Sequence, residues 1–182
     1  MKRILMILMA SLLLAFGACA PANDESGQAD AGYKKLLDVG IKLPSGCTEE
    51  LVKSVIHPSE LAFDIEDYKK NGKDYMEMVC SELNDKGREY AEKYGDDWKL
   101  SYEITEAVEK DAEGIEQYKK FDGFYFDRYG IPVDEFRAVT FVKVKVHIEG
   151  SKGSADKDRT IQCFQIGDEW YSLYAVRMGL GF

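Results

Sequence analysis

An uncharged apolar run from Ile4 to Phe16 opens the chain, behind Lys2 and Arg3 and ahead of the small residues Gly17, Ala18 and Cys19. Positive, apolar, then small is the order of a secretory signal peptide. Counted generously to Ala20, the run barely reaches the ~17 residues that cross a bilayer, so cleavage is favoured over a permanent membrane helix. Residues 20–30 then lack any large apolar side chain and read as a flexible tether.

From residue 31 the pattern becomes helical. Tyr33, Leu36 and Leu37 form a short amphipathic segment that ends near Gly40. A second helix starts after Thr48, a side chain suited to cap it, and ends near His57-Pro58. There His57 would sit at a helix C-terminus, where a cation is favoured. From about Glu66, the residues Tyr68, Tyr75, Met76, Val79, Leu83, Tyr90 and Tyr94 recur at steps of three, four or seven, which predicts one buried helix face. Asn71-Gly72 and Lys86-Gly87 are the places where it can bend or break, and Gly95 stops it.

The period then changes to two. Trp98, Leu100, Tyr102 and Ile104 alternate with polar residues and predict a half-buried strand. Asp111 caps a further helix through Ile115, Tyr118, Phe121 and Tyr125 to Gly130. Val142, Val144, Val146 and Ile148 alternate with Lys143, Lys145, His147 and Glu149 as a long strand. Gly150 to Asp158 reads as a polar turn and Thr160 to Ile166 as a strand. After a turn at Gly167-Asp168, Trp170 to Val176 is the last strand. Sequential strands with short turns pair antiparallel. The expected fold is α+β: N-terminal helices on one face of a curved antiparallel sheet, in a single domain over 31–182.

Composition limits the function. The 182 residues hold 24 basic and 33 acidic side chains, a net charge of −9, and loss of Lys2 and Arg3 with residues 1–18 takes it to −11. Such a domain repels nucleic acid and anionic head groups. Of the four cysteines, Cys47, Cys80 and Cys163 lie in the domain. One bridge is possible, with Cys47 and Cys80 favoured because both fall in the helical half. Otherwise all three are buried thiols. No CxxC or Cys/His cluster occurs, so neither a structural zinc nor any other cofactor is expected.

Candidate chemistry is sparse. His147 falls on the polar face of its strand, more suited to a solvated or interface position than to a general base. Asp156 and Asp158 lack the remaining oxygen ligands of a calcium loop. No phosphate-cradling loop, nucleophile elbow or HExxH is present. Phe121, Phe124, Tyr125, Phe126 and Tyr129 are too many to face one side of a helix. Core packing accounts for most of them, and a groove or cavity is the alternative. Tyr102, Trp170 and Tyr174 could face the same space.

Two resemblances extend this reading. Leu14-Ala15-Phe16-Gly17-Ala18-Cys19 resembles the lipobox of bacterial lipoproteins. That resemblance implies diacylglyceryl on Cys19, which becomes the mature N-terminus, and anchoring to the outer face of a membrane. The rival cut, after Ala20, would have to break the bond to Pro21. The element order from Tyr33 to Val176 resembles the nuclear transport factor two-like, or cystatin-like, cone fold. Within it, Tyr129-Gly130-Ile131-Pro132-Val133, the Val/Lys strand from Val142 to Val146, and Gly167-Asp168-Glu169-Trp170-Tyr171 are similar to small lipoproteins of Gram-positive bacteria. The cone fold implies a sheet that can enclose a cavity; some members are enzymes and many only bind. The expectation is a membrane-anchored, non-catalytic binding or interaction module of the cell envelope, taking an envelope protein or small ligand. The alternative is a cone-fold enzyme or small-ligand carrier with an aromatic-lined cavity.

Overall fold

In a computed structural model the described residues are 27–121 and 123–172; for 27–31, 121 and 123–125 only the backbone is described. Helix α1 spans Gly27–Gly40. It starts four residues inside the expected tether, because a helix pinned by the buried Tyr33, Leu36 and Leu37 extends at little cost per added residue. Helix α2 spans Glu49–Lys53, and the Thr48 hydroxyl accepts the Leu51 N–H at 3.3 Å.

Helix α3 spans Pro58–Lys70, which corrects the expected place of His57. His57 is the N-cap of a helix rather than its C-terminal residue, and its Nδ1 accepts the Ser59 N–H at 3.2 Å. The residue before proline is pushed out of the helical region, yet proline itself suits the first helical position. The dipeptide therefore starts a helix, and α2 has already ended at Lys53. The break in the following helical pattern falls at 71–74, with Gly72 at φ 68°. Helix α4, Tyr75–Tyr94, then runs without interruption through Gly87. A Cβ at Gly87 would collide with the Pro44 carbonyl, so this glycine seats the Leu43–Ser45 turn against α4.

The remaining elements are β1 (Lys99–Glu109), α5 (Ala112–Phe121), α6 (Gly123–Tyr129), β2 (Phe136–Gly150), β3 (Gly153–Ile166) and β4 (Glu169–Tyr171). The strands form one antiparallel sheet in the order β1-β2-β3-β4. The fold is α+β: among the described residues, four α-helices precede a four-stranded antiparallel sheet and two more lie between its first and second strands. The polar turn expected over Gly150–Asp158 shrinks to Ser151-Lys152, because β3 begins at Gly153 and pairs along its length with β2. Backbone pairing, not burial, makes a strand of its first half.

The sheet has two unequal faces. Ala138, Val142, Val144 and Val146 of β2, with Ile161 and Cys163 of β3, pack against Leu36, Leu37, Leu43, Val52, Val79 and Leu83 from the N-terminal half. On the opposite face Val139 and Phe164 join Phe126, Tyr129, Ile131 and Phe136 in a second cluster. There α5 leans on the sheet through Tyr118, whose ring lies 6.1 Å from those of both Phe141 and Phe164. Helices α5 and α6 thus cover one end of the second face. Among the described residues, no helix covers the other end.

Candidate functional site: the open half of the sheet

The open half is built by strand alternation. Along β2, the residues opposite the valine row are Lys143, Lys145, His147 and Glu149. Their partners on β1 are Glu106, Glu103, Ser101 and Lys99, and on β3 Thr160, Asp158, Asp156 and Ser154. Over Lys143, Lys145 and His147 a central basic column is therefore flanked by acidic residues, Glu106 and Glu103 on β1 and Asp158 and Asp156 on β3, and at the Lys99–Glu149 pair the signs reverse. Lys145 and His147 are half-buried by their neighbours and the other ten are exposed.

A β-bulge sets this arrangement. The register shifts between Ile104 and Glu106, leaving Thr105 as the extra residue. Its hydroxyl donates to the Lys143 carbonyl at 3.2 Å. Without the bulge, Glu106 would fall opposite Val142 and point into the apolar face. With it, Glu106 meets Lys143 at 2.5 Å. A bulge re-aims side chains in this way at the expense of one unpaired residue. Four residues further along β2, His147 Nδ1 lies 2.7 Å from Asp156 Oδ1. A shallow groove of about 320 Å³ crosses the strands here, lined by Thr105, Lys143, Val144, Asp158, Arg159 and Thr160. Exposed pairs of this kind are each worth only ~0–1 kcal/mol. They therefore add little to the stability of the sheet, and charge order of this kind acts on encounter and specificity where a partner is present.

The aromatic residues expected to share a space are separated. Tyr102 pairs with Val146, whereas Trp170 pairs with Gln165 and through it with Ala138. Those positions are eight residues apart on β2, ~26 Å at ~3.3 Å per residue. Tyr102 donates its hydroxyl to Asp38 Oδ1 at 2.8 Å, and partial burial together with that carboxylate pushes its pKa up to about 12. Trp170 is buried edge-on to Tyr33 at 6.2 Å, in the room that Gly32 leaves for its indole. Phe121, Phe124 and Tyr125 sit on α5 and α6, but their side chains lie outside the described residues, as do Cys19 and Tyr174.

Cys47 and Cys80 are joined in a disulfide that ties the start of α2 to α4. Cys163 is a buried thiol, and desolvation pushes its pKa up to about 12. A thiol so far from ionising is a poor nucleophile. Among the described residues, no group of three His, Cys, Asp or Glu side chains is placed to hold a metal ion, and no helix is long and apolar enough to cross a membrane.

Two groups escaped the sequence reading. Glu60 and Asp64 are 4% and 2% exposed on one face of α3. Their i, i+4 spacing beside Leu61 and Phe63 was the available signal, but it is also the spacing of a solvated face. His57 lies edge-on to Tyr171, ring centroids 4.9 Å apart. Burial holds its pKa below the ordinary 6.5, against an opposing pull from Glu135.

Comparison of the chain with protein-family models, with curated proteins and with solved structures returns no match.

Proposed function

We propose that this chain is an exported lipoprotein, anchored by diacylglyceryl on Cys19, that acts as a non-catalytic binding module of the cell envelope. Its contact surface is the open half of the sheet, and its partner is a protein surface whose charges run in the complementary order, a central acidic row between basic ones. The observation that carries this reading is the acid–base–acid pattern over three strands that no described helix covers. The net negative charge supports attachment through lipid rather than through a basic surface. Two acyl chains supply the stable anchoring that one chain lacks.

The anchor is tested by Cys19→Ser and fractionation of cells. The variant should appear in the soluble extracytoplasmic fraction or stay unprocessed. Normal cleavage followed by persistent membrane association would sink the lipid assignment.

One observation favours a second reading, a cone-fold enzyme or small-ligand carrier. Glu60 and Asp64 are carboxylates inside the fold, the kind of sheltered group that acid–base chemistry uses. Asp64→Asn and Glu60→Gln separate the readings. A binding module retains capture of its partner in whichever variant folds, whereas an enzyme or carrier loses turnover or ligand.

A further inference from the structure

A second concave site lies away from the open half, where the end of α3 meets α6. A cleft of about 260 Å³ is lined by Asp67, Tyr68, Asn71, Lys73 and Arg128. Its walls are fixed by local chemistry. The Asn71 side-chain amide donates to the Asp67 carbonyl at 2.8 Å, closing the last turn of α3. The N–H groups of Asn71 and Lys73 both donate to the Tyr68 carbonyl at 3.0 Å, and Gly72 takes the left-handed conformation that turns the chain toward α4. On the opposite wall, the Arg128 guanidinium carbon lies 5.1 Å from the centre of the Phe63 ring and 5.5 Å from that of Tyr129. These two rings meet edge-to-face at 5.1 Å. A guanidinium resting on two aromatic faces is held in place while its N–H donors stay available.

The charges in this cleft do not neutralise one another. Among the described residues neither Arg128 nor Asp67 forms an ion pair, although both line the same space. The C-terminal end of α3 adds partial negative charge on the side of Asp67. Lys73 adds positive charge among the lining groups. The cleft therefore offers a cationic fork suited to two carboxylate oxygens and an anionic side suited to an ammonium.

We propose that this cleft binds a small zwitterion, a free α-amino acid, with its carboxylate on Arg128 and Lys73 and its ammonium on Asp67. The Tyr68 ring lies beside the ligand's side chain. The volume suits a small amino acid, being near the lower end of ~300–1,000 Å³ for drug-sized ligands. This site is independent of the open half and of the lipid anchor.

The test is an NMR titration of the full chain in detergent, at constant ionic strength, with alanine, acetate and methylammonium as separate probes. Alanine should give saturable shifts at the amides of 71–74 and at Arg128. Acetate and methylammonium should each bind at least tenfold more weakly. Arg128→Gln and Asp67→Asn should each weaken alanine binding at least tenfold. Lys73→Gln, at an exposed turn position, should weaken it by a smaller factor and leave the fold intact. Alanine binding no better than acetate, shifts that do not saturate, or unchanged affinity in the folded variants would overturn the proposal.

Discussion

A half-buried imidazole that accepts a backbone N–H is held in its neutral form, and at His57 this gives stability a direction with pH. Its folded pKa lies below the ordinary 6.5, chiefly because burial penalises the cation. Between those two values the unfolded chain binds more protons than the folded one. Stability is therefore full above about pH 6.5 and falls as pH drops from there through the folded value. His57→Gln removes this component while keeping an acceptor at the N-cap. Urea unfolding at about pH 7.5 and about pH 5 should show a smaller loss of stability in the variant than in the wild type. Equal losses would contradict the assignment. The sequence made His57 legible as a helix-terminal residue, but the wrong end was expected, because His-Pro is compatible with both. The carboxylates of Glu60 and Asp64 were hidden for a related reason. A sequence records their spacing and not which face α3 turns inward.

At the scale of elements, legibility followed burial asymmetry. The valine row of β2 and the alternation in β1 mark one apolar and one polar face, so both strands could be read. The first half of β3 has Ala155, Lys157 and Arg159 on one face and Ser154, Asp156 and Asp158 on the other. With no apolar side it resembles a loop, and only its pairing with β2 makes it a strand. Half of the acidic frame of the open site was invisible for that reason. The bulge at Thr105 was also invisible, since nothing in the residue types separates an inserted residue from an alternating one. The disulfide belongs to this scale too. It links residues 33 apart, and in the chain-entropy picture closing such a loop stabilises by ~3–4 kcal/mol. Cys47→Ser with Cys80→Ser should lower the unfolding free energy by about that amount, read from denaturant midpoints under non-reducing conditions. A loss well under 1 kcal/mol would mean that the bridge adds little beyond the packing of the Leu43–Ser45 turn on α4.

For the molecule as a whole, the two faces of the sheet divide the work. One carries the main core against the N-terminal helices, and the second is half covered by an aromatic cluster and half exposed as ordered charge. A domain of net charge −11 after loss of residues 1–18 gains nothing from a bare anionic membrane. In the proposed arrangement the lipid on Cys19 supplies location and the open half supplies selection. The most direct test places a photo-crosslinking residue at Ser101 on the open half and, separately, at Glu82 on the exposed side of α4, in intact cells. The account predicts a discrete protein adduct from Ser101 that disappears when Lys143→Glu and Lys145→Glu are added, and no such adduct from Glu82. No adduct from Ser101, or one that survives both charge reversals, would contradict it.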